Sequence, residues 1–145
     1  MTDIVDQQTR SRMMSGIRGR NTRPELRLRS ALHAAGLRYR IHRKDLPGSP
    51  DLVFPKFGAV VFVHGCFWHR HPGCPKATSP STRPEFWADK FAKNIERDER
   101  SRQSLIDAGW RVATVWECSL KEYGTEDLVT TVRSWLQGDG QELEV

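Results

Sequence analysis

Apolar residues recur along this chain with two periods, and the switches between them mark its elements. Leu28, Ala31, Leu32 and Ala35 lie at helical spacing. Thr22 and Glu25 ahead of them form a capping box, a threonine hydroxyl serving a backbone amide and a glutamate reaching back. Gly36 supplies the stop. Residues 37–42, LRYRIH, alternate apolar and polar, the pattern of a half-buried strand. The turn PGSP at 47–50 leads to a second short strand, DLVF at 51–54, and PKFG at 55–58 is a tight connection. The continuously apolar run 59–64, AVVFVH, predicts a buried third strand that forms a hairpin with the second. A second capping box, Thr82 with Glu85, opens a helix that carries Trp87, Phe91, Ile95, Leu105 and Ile106 as far as Ala108, with Gly109 as its stop. Residues 110–116, WRVATVW, are a fourth strand, and a crossover helix between strands three and four implies parallel pairing. Thr125 caps a last helix with Leu128, Val132, Trp135 and Leu136 on one side. The expectation is an α/β fold, a central mixed sheet flanked by helices.

A chain of 145 residues suits one domain with a substantial core. The folded domain is expected over 22–137, with 1–21 as an arm of few large apolar residues and 138–145 as a flexible, frayed tail. Charge changes this picture more than composition does. The net charge is +5, and Arg10, Arg12, Arg18, Arg20, Arg23, Arg27 and Arg29 crowd the first thirty positions. Guanidinium groups match phosphate in two-pronged fashion, so nucleic acid is the leading partner class, a solvated helix face being the alternative. With no apolar span long enough for a membrane and a polar start, the chain reads as soluble and intracellular, with no membrane partner, and a monomer is expected.

Chemistry concentrates at 59–74, AVVFVHGCFWHRHPGC, which holds two of the three cysteines and three of the five histidines. A buried strand ending in such a cluster delivers reactive side chains at its end. Cys66, His71 and Cys74 fall within nine positions, and Cys118 lies just past the strand expected to neighbour theirs. Four ligands of this Cys3His type describe a closed structural zinc site, the alternative being three cysteines without metal. His64 and His69 are left over for chemistry. Asp51 should sit at the same edge, where one carboxylate plus a backbone carbonyl suffices for magnesium, although an aspartate before a strand is commonly a turn residue.

The strings LPGSPDLVF at 46–54, FVHGCFWHRH at 62–71, EFW at 85–87, KNIERD at 93–98, GWRV at 109–112 and VWEC at 115–118 closely resemble the very short patch repair (Vsr) mismatch endonucleases. The likeness runs from about Thr9 to Cys118, and HGCFWH with its downstream WEC is highly specific. It implies a restriction-endonuclease-like fold with a structural zinc. It further implies an enzyme that nicks one DNA strand beside the thymine of a T:G mismatch left by deamination of 5-methylcytosine, ahead of downstream repair proteins. In this resemblance Asp51 is similar to the magnesium-binding aspartate, joined by the backbone carbonyl of Val63, and His69 to the histidine that activates water. His64 and Glu25 are similar to assisting groups, and Cys66, His71, Cys74 and Cys118 to the zinc ligands. Phe67, Trp68 and Trp87 match aromatics that wedge beside the mismatch, Met14 an intercalating residue of the arm, and Lys93 and Asn94 belong to a string read as DNA-contacting. Apolar wedges unstack a base step at a cost of about a few kcal/mol, least where pairing is already faulty.

Two departures stand out. Val63 occupies a position where threonine is expected, and Pro72-Gly73 makes the zinc loop one residue longer. Trp110, Trp116 and Trp135 read as core. Two other functions remain open on the sequence: a restriction-type endonuclease of the same fold acting on intact DNA, and a zinc-containing module that binds mismatches without cutting. A pure binder needs no hard-metal site, so His64 and His69 beside Asp51 favour chemistry.

Overall fold

A computed structural model describes residues 23–122 and 124–145. The arm over 1–21, its Met14, and the capping threonine Thr22 lie outside the described residues. In chain order the elements are α1 (Arg23–Ala34), β1 (Arg40–Ile41), β2 (Leu52–Phe54), a 3-10 turn (Pro55–Phe57), β3 (Ala59–His64), α2 (Pro84–Asp107), β4 (Arg111–Trp116), α3 (Glu117–Glu122), α4 (Thr125–Gln137) and β5 (Glu142–Glu144). They build one mixed sheet of five strands in the order β1-β2-β3-β4-β5. The β1-β2-β3 side is antiparallel, while β3, β4 and β5 run parallel.

Alternation along the strands sorts side chains to two faces. Ala59 and Val61 of β3, with Leu52 and Phe54 of β2, pack against Leu28 and Leu32 of α1 and Leu128, Val132 and Leu136 of α4. Val60, Phe62 and Val53 turn the other way, onto Leu105 of α2. Each such fully buried aliphatic side chain contributes about 1.5–3 kcal/mol. The parity that sends Val60 and Phe62 towards α2 sends His64, two residues on, to the same face.

Several boundaries depart from expectation. Helix α2 begins at Pro84 with Arg83 as its N-cap, and no side chain caps it, so the Thr82 box does not form. The cause is local: a residue before proline is disfavoured in the helical region, and Arg83 takes the left-handed one instead, φ +55°, leaving Pro84 at the first helical position. Gly124, not Thr125, is the N-cap of α4. The first strand is only Arg40–Ile41, and Ile41 faces solvent. Cys118 lies within α3, a helix the periodicity did not announce.

The largest difference is the tail, which adds an edge strand where a frayed end is expected. Val112 N–H donates to Gln141, Val145 N–H to Thr114 and Trp116 N–H to Val145. Arg111 gathers the preceding turn by donating to the carbonyls of Trp135, Leu136, Gly138 and Gly140, its guanidinium lying 4.6 Å over the Trp135 ring. On the opposite side of the sheet, the loop before β2 closes onto α2 at Gly48. A Cβ there would come within 2.8 Å of Ser101, and φ is +74°, so only glycine fits.

Candidate active site and metal centre

Continuing the β2-β3 register past Leu52↔Val61 sets Pro50 opposite Val63. Proline has no N–H to give the Val63 carbonyl, and the Val63 N–H is taken at 2.7 Å by Asp51 Oδ2. Both backbone groups of one strand residue point to the same side, so the Val63 carbonyl is directed towards Asp51 as well.

Glu25 reaches this place from α1. It shares the helix's buried stripe with Leu28 and Leu32, at offsets of three and seven, and is only 1% exposed. Its Oε2 accepts from His42 Nε2 at 2.6 Å and from Arg29 at 3.2 Å. The donor atoms of Glu25, His42 and Asp51 lie within 4.8 Å of one another. Burial, opposed by the Val63 N–H and reinforced by Glu25, pushes the Asp51 carboxyl up to about 7. Two buried carboxyl groups held this close need either a shared proton or a cation, and oxygen donors from Asp51, Glu25 and a carbonyl fit a hard divalent ion.

Across the same mouth His64 and His69 stack with ring centroids 3.9 Å apart and planes 5° from parallel. Burial, then the adjacent His69, pulls the His64 imidazole down to about 3, so this ring is neutral. His69 Nδ1 meets Asp98 Oδ2 of α2 at 2.6 Å. An ionised carboxylate only accepts, so Nδ1 carries the proton and Nε2 is left as the basic nitrogen. Asp51, Val63, His64, His69 and Asp98 all line one cleft of about 730 Å³ between β3 and α2.

Behind the cleft, Cys66, His71, Cys74 and Cys118 place one donor atom each within 4.8 Å of the others. His71 Nδ1 is 3.7 Å from Cys66 Sγ and 3.4 Å from Cys118 Sγ. Tetrahedral bonds of about 2.3 Å to sulfur and about 2.0 Å to nitrogen give edges of roughly 3.5 Å, so the spacing suits zinc. Burial pushes the Cys66 thiol up to about 12, and a bound cation is what would hold that sulfur as thiolate. His71 turns inward to the sulfurs while its ring stacks on Trp116 at 4.3 Å, and His69 turns away from them to Asp98.

The aromatic residues converge too. Phe67 lies 4.9 Å from Trp68 and 5.9 Å from Trp87, and Trp68 and Trp87 are 5.9 Å apart. All three are partly exposed, over a base formed by buried Phe91. Arg70 holds this loop: its guanidinium sits 4.0 Å over Phe91 and donates to the carbonyls of Phe67, Ala77 and Thr78. Asn94 donates to the Trp68 carbonyl at 3.2 Å, which makes it a support of the loop, whereas Lys93 is exposed and paired with Asp89 at 3.0 Å.

Three members of the site were not singled out from the sequence. Asp98 had a signal, since it lies midway between Phe91 and Leu105 at sevens along one stripe of α2, and it faces the cleft. His42 and Arg70 had none. Both take left-handed backbone, φ +50° and φ +56°, which residue type does not announce outside glycine and asparagine.

A profile of the family described as DNA mismatch endonuclease Vsr matches residues 2–76. The chain is 49% identical to "Type II nicking enzyme V.XorIIP" of Xanthomonas oryzae pv. oryzae over 124 residues, 86% of this chain and 90% of the relative. It is 42% identical to "DNA mismatch endonuclease Vsr" of Escherichia coli over 148 residues, 100% of this chain and 94% of that one. "Type II nicking enzyme V.NmeAIP" of Neisseria meningitidis is 43% identical over 121 residues, 83% and 86% of the two chains. With its cleft of carboxylates and paired imidazoles beside a cysteine cluster, the chain belongs to the Vsr DNA mismatch endonuclease family.

Proposed function

We propose that this protein is an endonuclease that nicks one strand of DNA at T:G mismatches arising from deamination of 5-methylcytosine, initiating very short patch repair. The observation that carries this reading is the cleft, where Asp51, backed by buried Glu25, shares one lining with the base-carboxylate dyad of His69 and Asp98. Magnesium at Asp51, the Val63 carbonyl and Glu25 would supply Lewis-acid stabilisation of the scissile phosphate. Cys66, His71, Cys74 and Cys118 would hold a structural zinc, in a domain of restriction-endonuclease-like architecture.

The chain's own residues then divide the work. Asp98 fixes the His69 ring through Nδ1, and Nε2 accepts a proton from the attacking water. Neutral His64, stacked on His69, offers a hydrogen bond without adding charge beside the dyad. Phe67, Trp68 and Trp87 act as the wedge, with Met14 of the arm as a second one. A DNA substrate places the proposed activity in the cytoplasm.

The test is direct: matched and T:G duplexes, labelled on each strand, are incubated with protein and magnesium and resolved under denaturing conditions. A nick confined to the thymine strand of the mismatched duplex supports the proposal. Cutting of matched DNA at the same rate overturns it in favour of a restriction-type enzyme, and binding without cutting in favour of a binding module.

Two variants follow. His69→Ala should slow nicking by about 10²–10⁴-fold, the usual contribution of a positioned general base, with cysteine-bound metal content unchanged because His71 serves the sulfurs. Trp87→Ala should lower the preference for T:G over matched DNA by about 5- to 150-fold, corresponding to the 1–3 kcal/mol of one stacked base. An equal loss on both duplexes would instead make Trp87 part of the small core above Phe91.

A further inference from the structure

We propose that His42 is a positioning residue of the Asp51 site, holding the Glu25 carboxylate against Asp51 so that a divalent cation meets a preformed pair of oxygen ligands. This deepens the reading above and rests on it. Continuing the β1-β2 register past Ile41↔Leu52 sets His42 opposite Asp51, and the His42 N–H reaches the Asp51 carbonyl at 3.4 Å. The same residue sends its ring to Glu25, Nε2 to Oε2 at 2.6 Å, with the His42 side chain 10% exposed and that of Glu25 2%. His42 thus bridges the two acidic residues, by backbone to one and by imidazole to the other.

The carboxylate of Glu25 needs such a holder. It hangs from α1, a different element from the turn that ends in Asp51 and the strand that carries Val63, and two ionised carboxylates so placed repel each other. Arg29 meets the same Oε2 from one turn further along α1, so ring and guanidinium hold that oxygen from two elements. Against an ionised Glu25 the His42 Nε2 must donate, which defines the tautomer. A left-handed backbone at a non-glycine position, φ +50°, is tolerated where the surroundings enforce it, as is common at binding sites.

Two substitutions separate positioning from general support. His42→Asn accepts the left-handed backbone but is too short to present a donor where Nε2 lies, whereas His42→Gln places an amide N–H near that point. Magnesium and manganese are titrated calorimetrically into the wild type and both variants without DNA. The half-saturating magnesium concentration for nicking and the KM for the T:G duplex are measured alongside. His42→Asn should bind either ion about 10- to 100-fold more weakly, the usual effect of losing a group that orients a ligand, and His42→Gln should recover most of it. Nicking by His42→Asn should return at saturating magnesium with KM for DNA unchanged. Wild-type metal affinity in His42→Asn, or a defect that saturating magnesium leaves in place, overturns the proposal while wild-type nicking still stands. If the wild type itself binds neither ion, the reading of Asp51 as a metal site falls, and this inference with it.

Discussion

Asp51→Ala should reduce nicking of a T:G duplex by about a thousandfold or more while leaving affinity for that duplex within a few-fold. Lewis-acid stabilisation of a phosphoryl oxygen is worth several kcal/mol, each 1.4 kcal/mol is about tenfold in rate, and Asp51 lines the cleft beside the Val63 backbone. Affinity rests elsewhere, on phosphate contacts and on aromatic stacking. Asp51→Asn is the sharper variant, because an amide keeps the volume and can still accept from the Val63 N–H. The buried carboxyl titrates at about 7 in the folded chain against an ordinary 3.8, so metal-free stability is lost as pH rises across that window. An asparagine has no such loss, and metal-free Asp51→Asn should therefore melt several degrees higher than the wild type at pH 8 while being inactive. The same shift makes a proton compete with the cation, so the half-saturating magnesium concentration of the wild type should fall from pH 6 to pH 8. Full activity in Asp51→Asn would remove this carboxylate from the mechanism.

How much of this was legible depends on the range over which each signal acts. Strand β3 and the hairpin through Pro55–Phe57 follow from an apolar run and a proline-glycine connection within a few residues, and the structure keeps those bounds. Cys66, His71 and Cys74 were legible for the same reason, being one loop, and Cys118 joined them through the parallel pairing of β3 with β4. Signals that reside in the partner element were lost. β5 has one inward apolar residue, Leu143, between two glutamates, and becomes a strand only because β4 offers a free edge. Glu25 was legible as a helix-capping residue, yet its place on the Leu28 stripe buries it beside Asp51. Asp98 and His42 each acquire a role from a residue 29 or 17 positions away, which no local pattern encodes.

Cys118→Ala, or exposure to a strong zinc chelator, should destabilise the whole domain, where a change at a nucleolytic residue would not. The sulfur stands at the start of α3, directly after β4, while its partners lie in the loop after β3, so the ligand set ties together the ends of the two central parallel strands. The tie extends further. Trp116 stacks on His71 at 4.3 Å and donates from Nε1 to Glu144 of β5 at 2.8 Å, so the edge strand is anchored through the ring that the cluster holds. A structural zinc contributes about 10–16 kcal/mol of binding free energy in small peptides, comparable with the about 5–15 kcal/mol that holds a whole domain. Losing a quarter to a third of the zinc term should lower Tm by roughly 5–20 °C, at about 2–4 °C per kcal/mol for a chain of this size. His64 stands 5.3 Å from Trp116, so the cleft should loosen before the sheet does, and nicking should fall at lower chelator concentration than the melting temperature. Metal analysis that finds no zinc in the protein as purified, or a Tm that ignores the chelator, would show that the four donors are held by the surrounding packing alone.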